Sequence, residues 1–145
     1  MKFGVFYEHQ LPRPWEEDSE YRLLQDALEQ VELADRLGFD VVWEVEHHFL
    51  EEYSHSSAPE VFLGACSQRT KDIRLGHGII QTAPGYNHPA RTAERVATLD
   101  LLSGGRVEFG SGASPARRPS SAVSWSIRRR SATHGWRGSR SRCAA

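Results

Sequence analysis

The chain has 145 residues, 39% of them hydrophobic and 26% charged. That suits one modest soluble domain and falls short of the roughly 250 residues typical of a closed eight-stranded α/β barrel. The formal net charge of -1 averages two unlike pieces: residues 113–145 carry 8 arginines and no acid, which leaves 10 of the 18 basic residues against all 19 acids in residues 1–112. There is no apolar run of membrane-spanning length and no basic-then-apolar leader, so a cytoplasmic protein without membrane contact is expected.

In chain order, residues 2–7 read as a short first strand, ended by the polar Glu8, His9 and Gln10 and by Pro12 and Pro14. A helix capped by Asp18 or Ser19 follows, with acids at its positive end and an apolar stripe through Leu24, Leu28 and Val31 and through Leu23, Ala27, Ala34 and Leu37. Gly38 supplies the left-handed residue that ends it. Val41, Val42, Trp43 and Val45 form a second, buried strand. Pro59 opens a helix that runs to about Arg69, with Val61, Phe62, Ala65 and Cys66 on its apolar side. Cys66 reads there as a small buried hydrophobe, and with only Cys143 besides it no disulfide framework is implied. Residues 73–80 are a third strand broken by Gly76 and Gly78, the mark of a bulge or of a close backbone approach. Pro89 opens a third helix, with Ala90, Ala93, Ala97 and Leu101 on one side and Val96 and Leu99 beside them; Gly104 and Gly105 stop it, and residues 106–110 make a fourth strand.

Strands alternating with helices over short connections imply a parallel sheet. The turn after the first strand is rich in proline and acid and has no glycine, so it lacks the fingerprint of a doubly wound nucleotide fold, and a barrel is favoured. Alternation along the second strand puts Phe39, Val41, Trp43, Val45 and His47 on one face, and Asp40, Val42, Glu44, Glu46 and His48 on the other. His47 then emerges at the C-terminal end of a parallel strand, where such folds keep their ligands, and an imidazole suits proton transfer near neutrality. Glu44 and Glu46 need partners inside a buried strand, with Arg74 and Arg106 the candidates. Glu46, His47, His48, Glu51, Glu52 and His55 also invite a metal reading, but a strand and a loop do not converge them as helical spacing would, and no metal is expected. The turn Gly110-Ser111-Gly112 is either an anion-binding turn or a plain one.

Several blocks in order resemble the bacterial luciferase-like flavin-dependent monooxygenases: Lys2-Phe3-Gly4-Val5-Phe6, Leu37-Gly38-Phe39-Asp40-Val41-Val42-Trp43, Glu46-His47-His48-Phe49, Leu75-Gly76-His77-Gly78-Ile79, Asn87-His88-Pro89-Ala90-Arg91, and the run from Leu99 to Gly112. The resemblance implies a (β/α)8 TIM-barrel fold, here cut to the first four strands and three helices. It implies reduced FMN as cofactor, with F420 the alternative, and O2 and a small organic molecule as substrates. A flavin reductase would supply the reduced flavin, and full-length members would be dimeric. His47 matches the histidine that acts near the flavin as acid/base. Gly78 and Ile79 match a bulge where a cis peptide supports the flavin ring, a bond costing about 3–4 kcal/mol outside proline. Ser111 falls where cofactor contacts are expected.

Beyond Gly112 the pattern fails. Residues 113–145 hold 8 serines besides the arginines, with Val123, Trp125, Ile127 and Trp136 as their large apolar side chains. Burial there cannot offset an ordering entropy of about 1–2 kcal/mol per residue, so disorder is expected. Without lysine or a recognisable module, the tail does not read as a nucleic-acid binder, although Trp125 and Trp136 could stack on bases. Its bias is that of GC-rich coding DNA read out of frame. The expectation is therefore an inactive N-terminal fragment or frameshifted product, native to about Gly112; the alternative is a non-catalytic flavin-binding or dimerisation remnant.

Overall fold

The computed structural model describes residues 1–83 and 85–112, so the arginine-rich tail, with Trp125, Trp136 and Cys143, lies outside the described residues. The elements run β1 (Gly4–Tyr7), α1 (Ser19–Arg36), β2 (Val41–Glu44), α2 (Pro59–Arg69), β3 (Arg74–Gln81), α3 (Pro89–Ser103) and β4 (Val107–Gly112).

The helix ends follow local chemistry. Asp18 holds the N-cap position of α1 but makes no side-chain cap; it pairs instead with Arg22 at 3.1 Å, while Ser19 Oγ accepts from the Glu16 N–H at 2.8 Å. At the other end Gly38 takes φ 79°, with its N–H on the Asp35 carbonyl and the Phe39 N–H on that of Ala34. These two bonds satisfy carbonyls the helix leaves orphaned. α3 opens on Pro89, with His88 Nδ1 accepting from the Ala90 N–H at 3.2 Å, and closes the same way at Gly104 and Gly105.

The four strands are all parallel and lie in the order β1-β2-β3-β4. Register aligns Val5, Val42, Leu75 and Val107 in one row across the sheet. That row packs on Ala27, Leu28, Val31 and Ala34 of α1, on Phe62, Leu63 and Cys66 of α2, and on Leu99 of α3. All three helices thus cover a single face. Right-handed crossovers that always step the same way give this result, whereas a doubly wound sheet reverses direction and covers both faces. The architecture is the consecutive wall of a TIM barrel.

Three expectations are corrected. Alternation along β2 holds only to Glu44: Val45 and Glu46 are both buried, because the strand ends and the chain turns. On α3 the core side is Thr92, Leu99 and Ser103, while Ala93, Val96 and Ala97 line an open groove with Val107 and Phe109, and Leu101 is 83% exposed. The helical period marks an apolar stripe without saying what covers it. The arginines do not serve the buried carboxylates. Arg74 pairs with Glu108, and Arg106 donates to the carbonyls of Ser67, Thr70, Ile73 and Ser103 and to Thr70 Oγ1.

Candidate functional site

The site is built where β1, β2 and β3 end. The helix-facing row after the apolar one is Tyr7, Glu44, His77 and Phe109, with polar groups on its first three strands where the previous row was aliphatic. Glu44 is 1% exposed, and its Oε1 lies 3.1 Å from His9 Nε2 and accepts from Ser56 Oγ at 2.8 Å. Burial holds its carboxyl above the usual carboxylate range, against the lowering effect of those two bonds. His9 takes a left-handed backbone (φ 52°) and packs between Tyr7, at 5.3 Å between ring centroids, and Phe62, at 4.8 Å. Ser56 Oγ also donates to the Val45 carbonyl, and the Ser56 carbonyl accepts from the His47 N–H at 2.8 Å. A buried acid thus ties the loop after β1 to the loop after β2.

His47 lies three residues beyond β2, in the segment that follows the strand and not on it as the sequence suggested, with its side chain 28% exposed. Its ring meets Tyr53 edge-on at 5.8 Å, and Nε2 is 3.3 Å from Glu8 Oε2. That carboxylate oxygen is shielded from solvent and makes no hydrogen bond among the described residues, so the two groups are close without hydrogen-bond alignment. These contacts are with loop residues, none with a helix.

Glu46 is the second buried acid. His48 Nε2 approaches its Oε1 at 2.8 Å, Asn87 donates to both oxygens at 3.0 and 3.2 Å, and the Gln81 N–H donates to Oε2 at 2.8 Å. Asn87 in turn donates to the Gln81 carbonyl and accepts from Arg95, which also pairs with Glu60 on α2. Beyond the carboxylate, His48 faces the Tyr86 ring at 4.9 Å. His77 is fully buried, neither of its ring nitrogens is hydrogen-bonded among the described residues, and burial pushes its pKa down to about 4.

The bulge expected in β3 is present. His77 pairs with Phe109 and Ile80 with Ser111, so β3 carries one residue more than β4 between those rungs. The extra residue turns Ile79 to the helix-free face beside Gly112 and sends Ile80 into the core. The expected cis peptide is not there: the cis bond among the described residues is Arg13–Pro14. A cis bond outside proline persists only where its surroundings over-determine it, and Ile79 is 40% exposed.

The helix-free face brings together Phe6, Trp43, Gly76, Gly78 and Ile79. Phe6 is 58% exposed, and a Cβ on Gly78 would meet its ring at 3.3 Å. Ser111 belongs elsewhere, in the groove with Thr82, Asn87 and Asp100, and does not join His47. Among the described residues no three acids, histidines or cysteines gather to hold a metal ion. Cys66 is buried, and burial with the nearby Glu44 pushes its thiol up to about 12. No helix among the described residues is long and apolar enough to cross a membrane.

Sequence reasoning missed Glu8, His9, Ser56 and Gln81 as partners of the site. Only the polar run after the first strand hinted at the first two.

Comparison with known proteins fits this geometry. The family model described as luciferase-like monooxygenase matches residues 1–130. Limonene 1,2-monooxygenase of Rhodococcus erythropolis is 42% identical over 115 residues, covering 77% of this chain and 27% of its own length. The oxygenase component of the flavin-dependent trigonelline monooxygenase of Acinetobacter baylyi is 31% identical, covering 76% of this chain and 29% of its own. Among solved structures, monooxygenase RslO1 of Streptomyces bottropensis superposes with a TM-score of 0.69 at 35% identity, over 81% of this chain and 34% of that one. The chain therefore spans about a third or less of these relatives' length. With one sheet, one helical face and the same blocks in the same order, the chain belongs to the luciferase-like monooxygenase family.

Proposed function

We propose that this chain supplies the flavin-facing wall of a monooxygenase that uses reduced FMN, or F420 as the alternative, with O2 and a small organic substrate. A flavin reductase delivers the reduced cofactor, and the setting is cytoplasmic. The observation that carries the reading is a partly exposed apolar face of Phe6, Trp43, Gly76, Gly78 and Ile79 on the helix-free side of a sheet whose second strand leads into His47. Glycine backbone and ring faces suit a planar heteroaromatic group. The bound flavin would supply the oxygen-activating chemistry. Gly78 and Ile79 would lie against its ring, and His47 would hold or deliver a proton. Ser111, which lines the groove with Asp100, would meet a part of the cofactor away from the ring.

Anaerobic titration of the full chain with reduced FMN, and separately with reduced F420, tests this. Saturable binding that survives His47→Ala, with loss of substrate oxidation on adding O2, supports the reading. Binding without any oxidation in the parent chain favours the non-catalytic flavin-binding remnant. No binding of either cofactor refutes both. The domain boundary at Gly112 belongs to the same proposal: the coding DNA beyond codon 112, translated in its other two frames, is expected to resume a βα pattern.

A further inference from the structure

The geometry points to Glu8 as the positioning residue of His47: its carboxylate accepts the Nε2 proton, fixes the imidazole in one tautomer and leaves Nδ1 to exchange protons with whatever binds.

Four observations carry this. Glu8 Oε2 is shielded from solvent yet has no hydrogen-bond partner among the described residues, a costly condition for a carboxylate oxygen. His47 Nε2 lies 3.3 Å away, so a small ring rotation aligns the bond. The frame that holds the pair is fixed on both sides. Glu8 directly follows β1, and the neighbouring His9 is packed in the core against Glu44, while the His47 N–H is bonded to the Ser56 carbonyl, whose hydroxyl donates to the same Glu44. One buried acid therefore sets the spacing of both partners. Among the described residues no side-chain hydrogen bond engages His47 Nδ1. In neutral imidazole the hydrogen bond at one nitrogen decides which role the other plays.

The role in catalysis rests on the proposed reading of His47 as the proton-transfer group, but the pairing does not, and the experiment separates them. Ring-15N-labelled histidine in the full chain, without flavin, reports the Nε2–H to Nδ1–H ratio, with the His47 signals assigned by their loss in His47→Gln. The parent chain is expected to be mostly Nε2–H above the histidine titration. Glu8→Leu should lower the ratio about tenfold, the effect of losing a hydrogen bond to a charged acceptor. Glu8→Gln, which keeps an acceptor oxygen, should restore most of it. A loss of fold would not move His47 alone, so the other histidine signals serve as the control. A mostly Nδ1–H parent overturns the assignment without any variant, and so does a ratio in Glu8→Leu within twofold of the parent. Failure of the flavin titration would leave the tautomer result standing, and the reverse holds as well.

Discussion

Trp43 on β2 lies so close over Gly76 on β3 that a Cβ at Gly76 would fall 2.3 Å from Trp43 Cε3. The glycine that weakens a strand by propensity is here the condition for an indole to lie flat on the helix-free face. Gly76→Ala is expected to destabilise by about 1–3 kcal/mol through overpacking. Trp43→Leu in the same chain should recover part of that loss, and urea midpoints of the two single variants and the double variant measure the coupling.

His77 sets a pH dependence. Its folded pKa of about 4 lies below the ordinary 6.5, so the unfolded chain takes up the proton first. Stability is complete above pH 6.5, falls as pH drops through the window from 6.5 to 4, and levels off below it. The slope approaches 1.4 kcal/mol per pH unit and the total is roughly 3 kcal/mol. Denaturant unfolding at pH 7 and pH 5 should show a smaller drop in His77→Leu than in the parent chain.

Glu44 acts with the opposite sign. Its carboxyl stays protonated to higher pH in the folded chain than in the unfolded one, so stability falls as pH rises above 4.5. Glu44→Gln keeps an acceptor for Ser56 and His9 without the charge, and should flatten that part of the profile at little cost. Glu44→Ala leaves His9 buried without its acceptor and Ser56 with the Val45 carbonyl alone, and an unfolding curve at pH 7 should show a loss of about 2–4 kcal/mol.

Arg106 joins three segments. Its fork reaches the end of α2, the start of β3 and the end of α3, where Asp35 already accepts the N–H groups of Lys71, Asp72 and Ile73. Lysine cannot reproduce a planar, multiply donating head. Arg106→Lys is expected to cost about 2–3 kcal/mol, read as a lowered thermal midpoint.

Much of this was legible in the residues. Gly38, Pro59, Pro89 and Gly104 punctuate the helices where their backbone chemistry requires, and the alternation of Val41 to Glu44 placed Trp43 and Glu44 on opposite faces. Partnerships across the fold were not legible. Nothing in the order of residues ties His9 to Glu44 or Asn87 to Glu46, because those contacts exist only once three parallel strands end together. The bulge was legible from Gly76 and Gly78. Its effect on Ile79 and Ile80, which it sends to opposite sides, depends on the register with β4.

The carboxylate of Glu46 is gripped from β3, from the segment leading into α3 and from its own neighbour His48. It behaves as a keystone. The tips of two strands and the entrance to a helix share one rigid setting, so a guest pressing on any of them meets the stiffness of all. A shortened acid in that place would release three parts of the rim at once.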